Sequence, residues 1–358
     1  MERSIMTLLI VTTTGLCNLK CSYCGGSFPP HLVPPKEQYE LEDLVALVRS
    51  LDADVAFYGG EPLINPELIE NVMDALGPRR RYIIQTNGTL FDNLPEDYWL
   101  RFDAILLSID GRREVNDHYR VKGNYDIVLK TARRLRELGY GGDLIARMAV
   151  WDRSDIFEEV THLLELGLFD HVHWQLNVIW TEPWDFRKWA DSSYLPGIRR
   201  LVSLWVERMR QGEILGIVPF LGIAKVALFG EWRSPPCGAG YETFTLLPDG
   251  RVVACPIAVD SEWAVVGDVR SGVLRKVVIG EPCTSCSYFK YCGGRCLYTY
   301  MERYWGEEGF REVCSVTKAT IDEVLSRVSE IRSLMEEGVV KRDEIYYPPY
   351  DNTTEIIP

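Results

Sequence analysis

Three cysteines, Cys17, Cys21 and Cys24, stand at C-x3-C-x2-C directly after the apolar run Leu8-Leu9-Ile10-Val11. The run reads as a strand, which places the thiols on a loop at a strand end. Three thiolates in one short loop suit an iron–sulfur cluster, whose irons take cysteine sulfur as their preferred protein ligand. A four-iron cluster needs four ligands and this loop offers three, so one iron is left for a ligand that is not protein. Zinc is the competing reading, but structural zinc sites are usually built from paired Cys/Cys or Cys/His ligands rather than a lone triplet. Disulfides fit worse, because three cysteines leave one unpaired.

The remaining composition narrows the class. At 358 residues the chain holds one large domain with a smaller appendage. Its hydrophobic share of 46 % and charged share of 25 % are those of an ordinary globular protein. The net charge of −13 argues against nucleic acid as the main partner. The one basic run, Arg79-Arg80-Arg81, reads as solvated surface between a helix and a strand. No apolar run approaches the length of a membrane span. The N-terminus enters the first strand almost at once, leaving no room for a signal peptide, so the expected location is cytoplasmic. There ten cysteines mean metal chemistry more often than disulfides.

Over residues 1–190 strand-like and helix-like periodicities alternate, which predicts an α/β unit of parallel strands joined by helical crossovers. The expected strands are Leu8–Thr13, Asp54–Tyr58, Tyr82–Thr86, Ala104–Ile109, Leu144–Val150 and His171–Val178. Expected helices cover Glu40–Leu51, Pro66–Leu76, Asn124–Leu138 and Ser154–Leu166. In parallel barrels the chemistry gathers at the carboxyl ends of the strands. There this sequence places Gly59-Gly60-Glu61-Pro62, Asn87-Gly88 and Ser108-Ile109-Asp110-Gly111. Residues 191–232 read as a bridging region with an amphipathic helix from Leu195 to Arg210 and an apolar segment from Val218 to Phe229. Of Trp174, Trp180, Trp184, Trp189 and Trp205, packing is the expected role, with Trp180 and Trp184 placed in a loop that can line a substrate groove. From Val316 to Met335 the apolar spacing predicts one final helix, followed by an extended tail containing Tyr346-Tyr347-Pro348-Pro349-Tyr350.

The cysteine triplet in its strand context resembles the signature of radical S-adenosylmethionine (radical SAM) enzymes. That resemblance implies a partial (β/α)6 TIM-like barrel and a four-iron cluster whose open iron is chelated by the amino and carboxylate groups of S-adenosylmethionine (SAM). Gly59-Gly60-Glu61-Pro62 resembles the family's G-G-E-P motif, which binds the methionine amino group. The glycines are expected to let the main chain approach the ligand, and the Glu61 carboxylate complements an ammonium. Read alone, the motif is also a plain strand-to-helix turn opened by Pro62. Ser108 and Arg120 resemble the residues that hold the ribose and the methionine carboxylate, Asn87 closes the third strand beside them, and Tyr23 matches the aromatic position that packs on adenine.

Seven further cysteines lie within residues 233–318 as Cys237-x12-Gly250-x4-Cys255, then Cys283-x2-Cys286-x5-Cys292-x3-Cys296, then Cys314. This resembles the SPASM domain, a small, irregular, iron–sulfur-binding appendage of radical SAM enzymes that modify peptides and proteins. The resemblance implies two auxiliary four-iron clusters, giving three in all, and the divisions 1–190 barrel, 191–232 bridge, 233–318 SPASM domain and 319–358 C-terminal helix and tail. In the family's pairing Cys283, Cys286 and Cys292 join Cys314 on one cluster, while Cys237, Cys255 and Cys296 share the other. The latter then lacks one thiolate, to be supplied by Asp249, Asp260, water or a substrate thiol.

The implied activity is reductive cleavage of SAM to a 5′-deoxyadenosyl radical that abstracts hydrogen from a peptide or protein. An electron donor such as a ferredoxin or flavodoxin is implied, with auxiliary clusters that transfer electrons or ligate substrate. Sulfatase maturases of the family carry an aspartate directly after the second SPASM cysteine, whereas Pro256 follows Cys255 here. The chain leaves no room for an N-terminal leader-recognition domain, so a leader peptide is expected to need a separate binding protein or the tail. The alternatives are an oxidase or maturase of a small molecule or cofactor precursor, an iron–sulfur electron-transfer protein, and a zinc-stapled scaffold.

Overall fold

The structure, a computed structural model, describes residues 7–179, 181–303, 305–354 and 357. Six parallel strands follow one another across a sheet: β1 (Leu8–Thr12), β2 (Asp54–Tyr58), β3 (Tyr82–Thr86), β4 (Ala104–Ser108), β5 (Asp143–Val150) and β6 (His171–Leu176). Helices Leu41–Ser50, Pro66–Leu76, Asn124–Glu137 and Ile156–Glu165 lie in the crossovers. The expected strands and helices are all present, with ends moved by one or two residues.

Alternation along each strand builds two apolar layers. Leu9 and Val11 of β1 join Leu44, Leu47 and Val48 of the first helix in the main core. Leu8 and Ile10 face the other way, into a second cluster with Ala56, Ile83, Ala104, Leu106 and Ile145. A sheet buried on both faces is why these strands read as near-continuous apolar runs.

The sheet does not stop at β1. Strand β7 (Thr243–Leu246) pairs parallel to β1 on its free edge, and β8 (Arg251–Val253), β9 (Val265–Asp268) and β10 (Gly272–Val273) continue antiparallel from it. Sequence periodicity placed no strand here. Consequently the segment carrying Cys237 and Cys255 is hydrogen-bonded into the same sheet as the Cys17 loop.

The helices Leu195–Arg210 and Val218–Phe229 fall where expected. The single helix expected over 316–335 is instead two, Gly306–Leu325 and Val328–Glu336. At the break the Ser326 hydroxyl donates to the Glu323 carbonyl at 2.7 Å, the local competition by which serine ends a helix. The first of the two starts ten residues before the periodic pattern and so carries Cys314.

The tail crosses the amino ends of the strands. Tyr347 donates to Asp143 at 2.8 Å, Tyr350 donates to the Asp103 carbonyl at 3.0 Å, and Asp351 accepts from Thr243 at 2.8 Å. Tyr350 packs on the inner apolar cluster, and Arg81 stacks over its ring. Arg80 pairs with Asp52 and Arg81 with Asp54, so two of the three arginines of the basic run are neutralised locally.

Candidate active site

A cavity of about 710 Å³ opens at the carboxyl ends of the strands. Its wall contains Cys17, Cys21, Tyr23, Cys24, Gly59, Gly60, Glu61, Asn87, Ser108 and Arg120. It also contains Cys237, Cys255 and Cys296 from the second half of the chain, with Thr353 and Ile357 of the tail. Cys283, Cys286, Cys292 and Cys314 lie outside it.

The cysteine loop is fixed by main-chain bonds to the end of β2. Gly60 N–H donates to the Thr14 carbonyl at 3.0 Å and Glu61 N–H to the Leu16 carbonyl at 2.8 Å. A Cβ at Gly60 would lie 2.2 Å from the Leu16 oxygen, and one at Gly59 2.4 Å from the Thr14 oxygen. Close packing against the cysteine loop is thus a further requirement for the two glycines, beside the expected approach of a ligand to the cavity wall they line. They admit the main chain of the cysteine loop, so the motif is required before any ligand arrives.

Glu61 is buried and accepts from Thr86 Oγ1 at 2.6 Å, Asn87 N–H at 2.7 Å and Leu63 N–H at 3.2 Å. A carboxylate has about four acceptor positions, so one remains for a donor from the cavity. Burial pushes its pKa up to about 7 in spite of those three bonds. Asn87 Nδ2 donates to Asn18 Oδ1 at 2.9 Å, tying the loop to the end of β3 as well. Within the loop the Cys21 thiol donates to Cys24, which brings Cys24 down to about 6, while burial raises Cys17.

Asp110 is the organiser that the sequence reading missed. Fully buried after β4, it accepts from Arg120 Nη2 at 2.8 Å, Tyr23 hydroxyl at 3.0 Å and Ala149 N–H at 2.8 Å. Its strand-end position was legible, but its three partners come from three separate segments. The Arg120 guanidinium also lies over the Tyr23 ring, 5.6 Å from its centroid. Arg120 Nε is buried without a hydrogen-bond partner among the described residues, on a side chain that lines the cavity. An unpartnered guanidinium N–H there is suited to an anionic ligand group such as a carboxylate.

None of the ten cysteines is in a disulfide. Cys283, Cys286, Cys292 and Cys314 are electrostatic neighbours of one another, and burial raises Cys283 to about 11. Among the described residues, no three His, Cys, Asp or Glu side chains converge on a single-ion site. Four thiols grouped in this way could hold a multi-iron cluster. Of the two carboxylates considered for the incomplete set, Asp249 is held by Arg251 at 2.7 Å, whereas Asp260 lines the cavity.

Trp174 and Trp205 are fully buried, and Trp184 packs against Phe186, Trp189 and Trp305 away from the cavity wall. Trp180 lies outside the described residues. Arg295, also on the cavity wall, was not anticipated from sequence.

Residues 11–165 match the model of the Radical SAM superfamily. Over 338 residues the chain is 24 % identical to a cysteine-type anaerobic sulfatase-maturating enzyme of Clostridium perfringens, covering 81 % of this chain and 88 % of that protein. It is 23 % identical to the mycofactocin maturase of Mycobacterium tuberculosis, covering 79 % of this chain and 76 % of the maturase. A solved structure described as native anSMEcpe with bound AdoMet and Cp18Cys peptide superposes with a TM-score of 0.69 at 19 % identity, covering 92 % of this chain and 99 % of that one. At that identity the superposition speaks for the fold. The family match, by contrast, falls on the cysteine loop, Gly59–Pro62, Ser108 and Arg120, and the segment from 11 to 165 is a radical SAM domain.

Proposed function

We propose that the chain is a radical SAM oxidoreductase that acts on a peptide or protein and carries two auxiliary clusters beside its radical-generating one. The observation that carries this reading is the shared cavity wall, where Cys17, Cys21 and Cys24 face the same space as Arg120 and as Cys237, Cys255 and Cys296. Bound at the first triplet, a four-iron cluster with SAM supplies the 5′-deoxyadenosyl radical that abstracts hydrogen from carbon.

The chain's own residues bind and orient. Arg120 Nε takes the methionine carboxylate, with Asp110 fixing the guanidinium from behind. Glu61 offers its remaining acceptor position to the methionine ammonium. Ser108, at the end of β4, would hold the ribose, and Tyr23, fixed by Asp110 on the cavity wall, would pack on the adenine. Below, the tail residues Thr353 and Ile357 close the cavity and help exclude water. Cys283, Cys286, Cys292 and Cys314 form a complete four-thiolate set, and Cys237, Cys255 and Cys296 a three-thiolate set within reach of substrate.

A peptide substrate is favoured because the Clostridium perfringens relative is by its name a sulfatase-maturating enzyme, and because the superposing structure holds a peptide together with AdoMet. Partners in this reading are an electron donor of the ferredoxin or flavodoxin type and, for a leader-bearing substrate, a separate leader-binding protein. The test is anaerobic incubation with SAM, reductant and candidate peptides, read by mass spectrometry. The expected result is 5′-deoxyadenosine together with a peptide that has lost hydrogen. Turnover only with a small molecule would overturn the substrate class.

A further inference from the structure

Arg295 sits in the three-residue span between Cys292 and Cys296, and its side chain is 8 % exposed. Its backbone has φ 63°, a left-handed conformation normally given to glycine, and it follows Gly293 and Gly294 in the same region. A non-glycine residue in that conformation is strained, so the surrounding contacts hold the arginine there. Arg295 Nη2 donates to Thr299 Oγ1 at 2.9 Å, and Thr299 in turn donates to the Cys296 carbonyl at 3.1 Å.

Among the described residues no carboxylate forms an ion pair with this guanidinium, and its leading electrostatic neighbours are the thiols of Cys296, Cys314, Cys292 and Cys283. Cys296 belongs to the three-thiolate set and the others to the four-thiolate set. Arg295 also lines both the main cavity and a small second pocket shared with Arg303. A buried cation without a counter-charge is strongly unfavourable, and neutral thiols do not offset it. Thiolate-ligated clusters do, because their net charge is negative.

We infer that Arg295 is the shared counter-charge of both auxiliary clusters and sets their reduction potentials. The inference rests on the auxiliary-cluster reading above. Reduction adds one electron from an external donor and makes each cluster one unit more negative, with no bond or proton changed. A fixed neighbouring cation stabilises the reduced form more than the oxidised form, so Arg295 raises both potentials. Lys318, which neighbours Cys286 and Cys314, acts on the four-thiolate set alone.

The experiment is potentiometric EPR on the full chain bearing C17A, C21A and C24A, so that only auxiliary signals remain. In that background Arg295→Met lowers both midpoints, with a roughly tenfold fall in the reduction equilibrium, about 59 mV for one electron. Arg295→Lys keeps the midpoints near those of the parent, and Lys318→Met moves one midpoint only. If Arg295→Met fails to assemble its clusters while Arg295→Lys assembles them, the charge requirement stands. Unchanged midpoints in Arg295→Met overturn the inference, as does an Arg295→Lys shift as large as that of Arg295→Met. A parent with no auxiliary iron or sulfide overturns the cluster reading itself and is told apart by analysis before any potential is measured.

Discussion

Replacing Asp110 by asparagine tests whether one buried ion pair holds the floor of the cofactor site. Asp110 is 0 % and Arg120 8 % exposed as side chains, so neither charge is screened by solvent to any extent. Asparagine keeps the shape but turns one oxygen into a donor, against the Tyr23 hydroxyl or an Arg120 N–H that now donates to Asp110. Breaking a buried pair from one side typically costs about 3–5 kcal/mol, because the remaining charge has no counter-ion. We therefore expect Asp110→Asn to lose about that much stability in urea, measured on anaerobic, cluster-reconstituted protein without SAM. Arg120→Met alone leaves Asp110 orphaned and should cost a similar amount. The double variant removes both charges, and its loss should fall short of the sum by about 2–3 kcal/mol. A loss below about 1 kcal/mol for Asp110→Asn, or strict additivity in the cycle, would refute the claim that this pair organises the site.

The other predictions concern the motif after β2 and the tail. Glu61→Gln should weaken SAM binding by one to two decades, since a charge-assisted bond is worth about 1.5–3 kcal/mol; equal affinity in a direct titration would leave Glu61 a purely structural residue. With a folded pKa raised from 4.5 to about 7, Glu61 holds its proton longer in the native state, so its contribution to stability declines as pH rises from about 4.5 through 7. That decline amounts to about 3 kcal/mol and should be absent from Glu61→Gln in urea midpoints taken across this range. Because only the ionised carboxylate attracts an ammonium, wild-type affinity for SAM should rise roughly fivefold between about pH 6 and 7, below the range where the ligand's α-amino group loses its own proton, and that of Glu61→Gln should stay flat there. Gly60→Ala places a methyl 2.2 Å from the Leu16 oxygen and should displace the cysteine loop, lowering barrel iron while the auxiliary iron stays; full barrel iron would contradict the packing account. Tyr350→Ala removes a half-buried ring that packs on the inner cluster and should cost about 1–3 kcal/mol in urea midpoints, with a stability unchanged from wild type counting against the tail as a structural floor.

Much of this architecture was legible because its signals are local. Six apolar runs separated by amphipathic segments reveal β1 to β6, and Pro66, like the spacing of Leu44, Leu47 and Val48, marks a helix within a few residues. The cysteine loop and Gly59–Glu61 could be read as neighbours because each follows a strand. What escaped depends on chain segments far apart in sequence. Strand β7 is a four-residue segment whose partner β1 lies more than 200 positions away, so no periodicity announces the pairing. Asp110 gathers Tyr23, Arg120 and Ala149 from three segments, and the glycines of the G-G-E-P turn also serve contacts with Thr14 and Leu16. Arg295 was hidden inside a cysteine spacing that drew attention to its sulfurs.

The central claim is that Cys17, Cys21 and Cys24 hold the cluster that cleaves SAM while the other seven cysteines hold separate ones. It is tested most directly by changing these three to alanine together, then measuring iron, sulfide and 5′-deoxyadenosine on the same anaerobic preparation. The triple variant should lose roughly four of about twelve irons and form no nucleoside above background. Undiminished 5′-deoxyadenosine from the triple variant would contradict the claim.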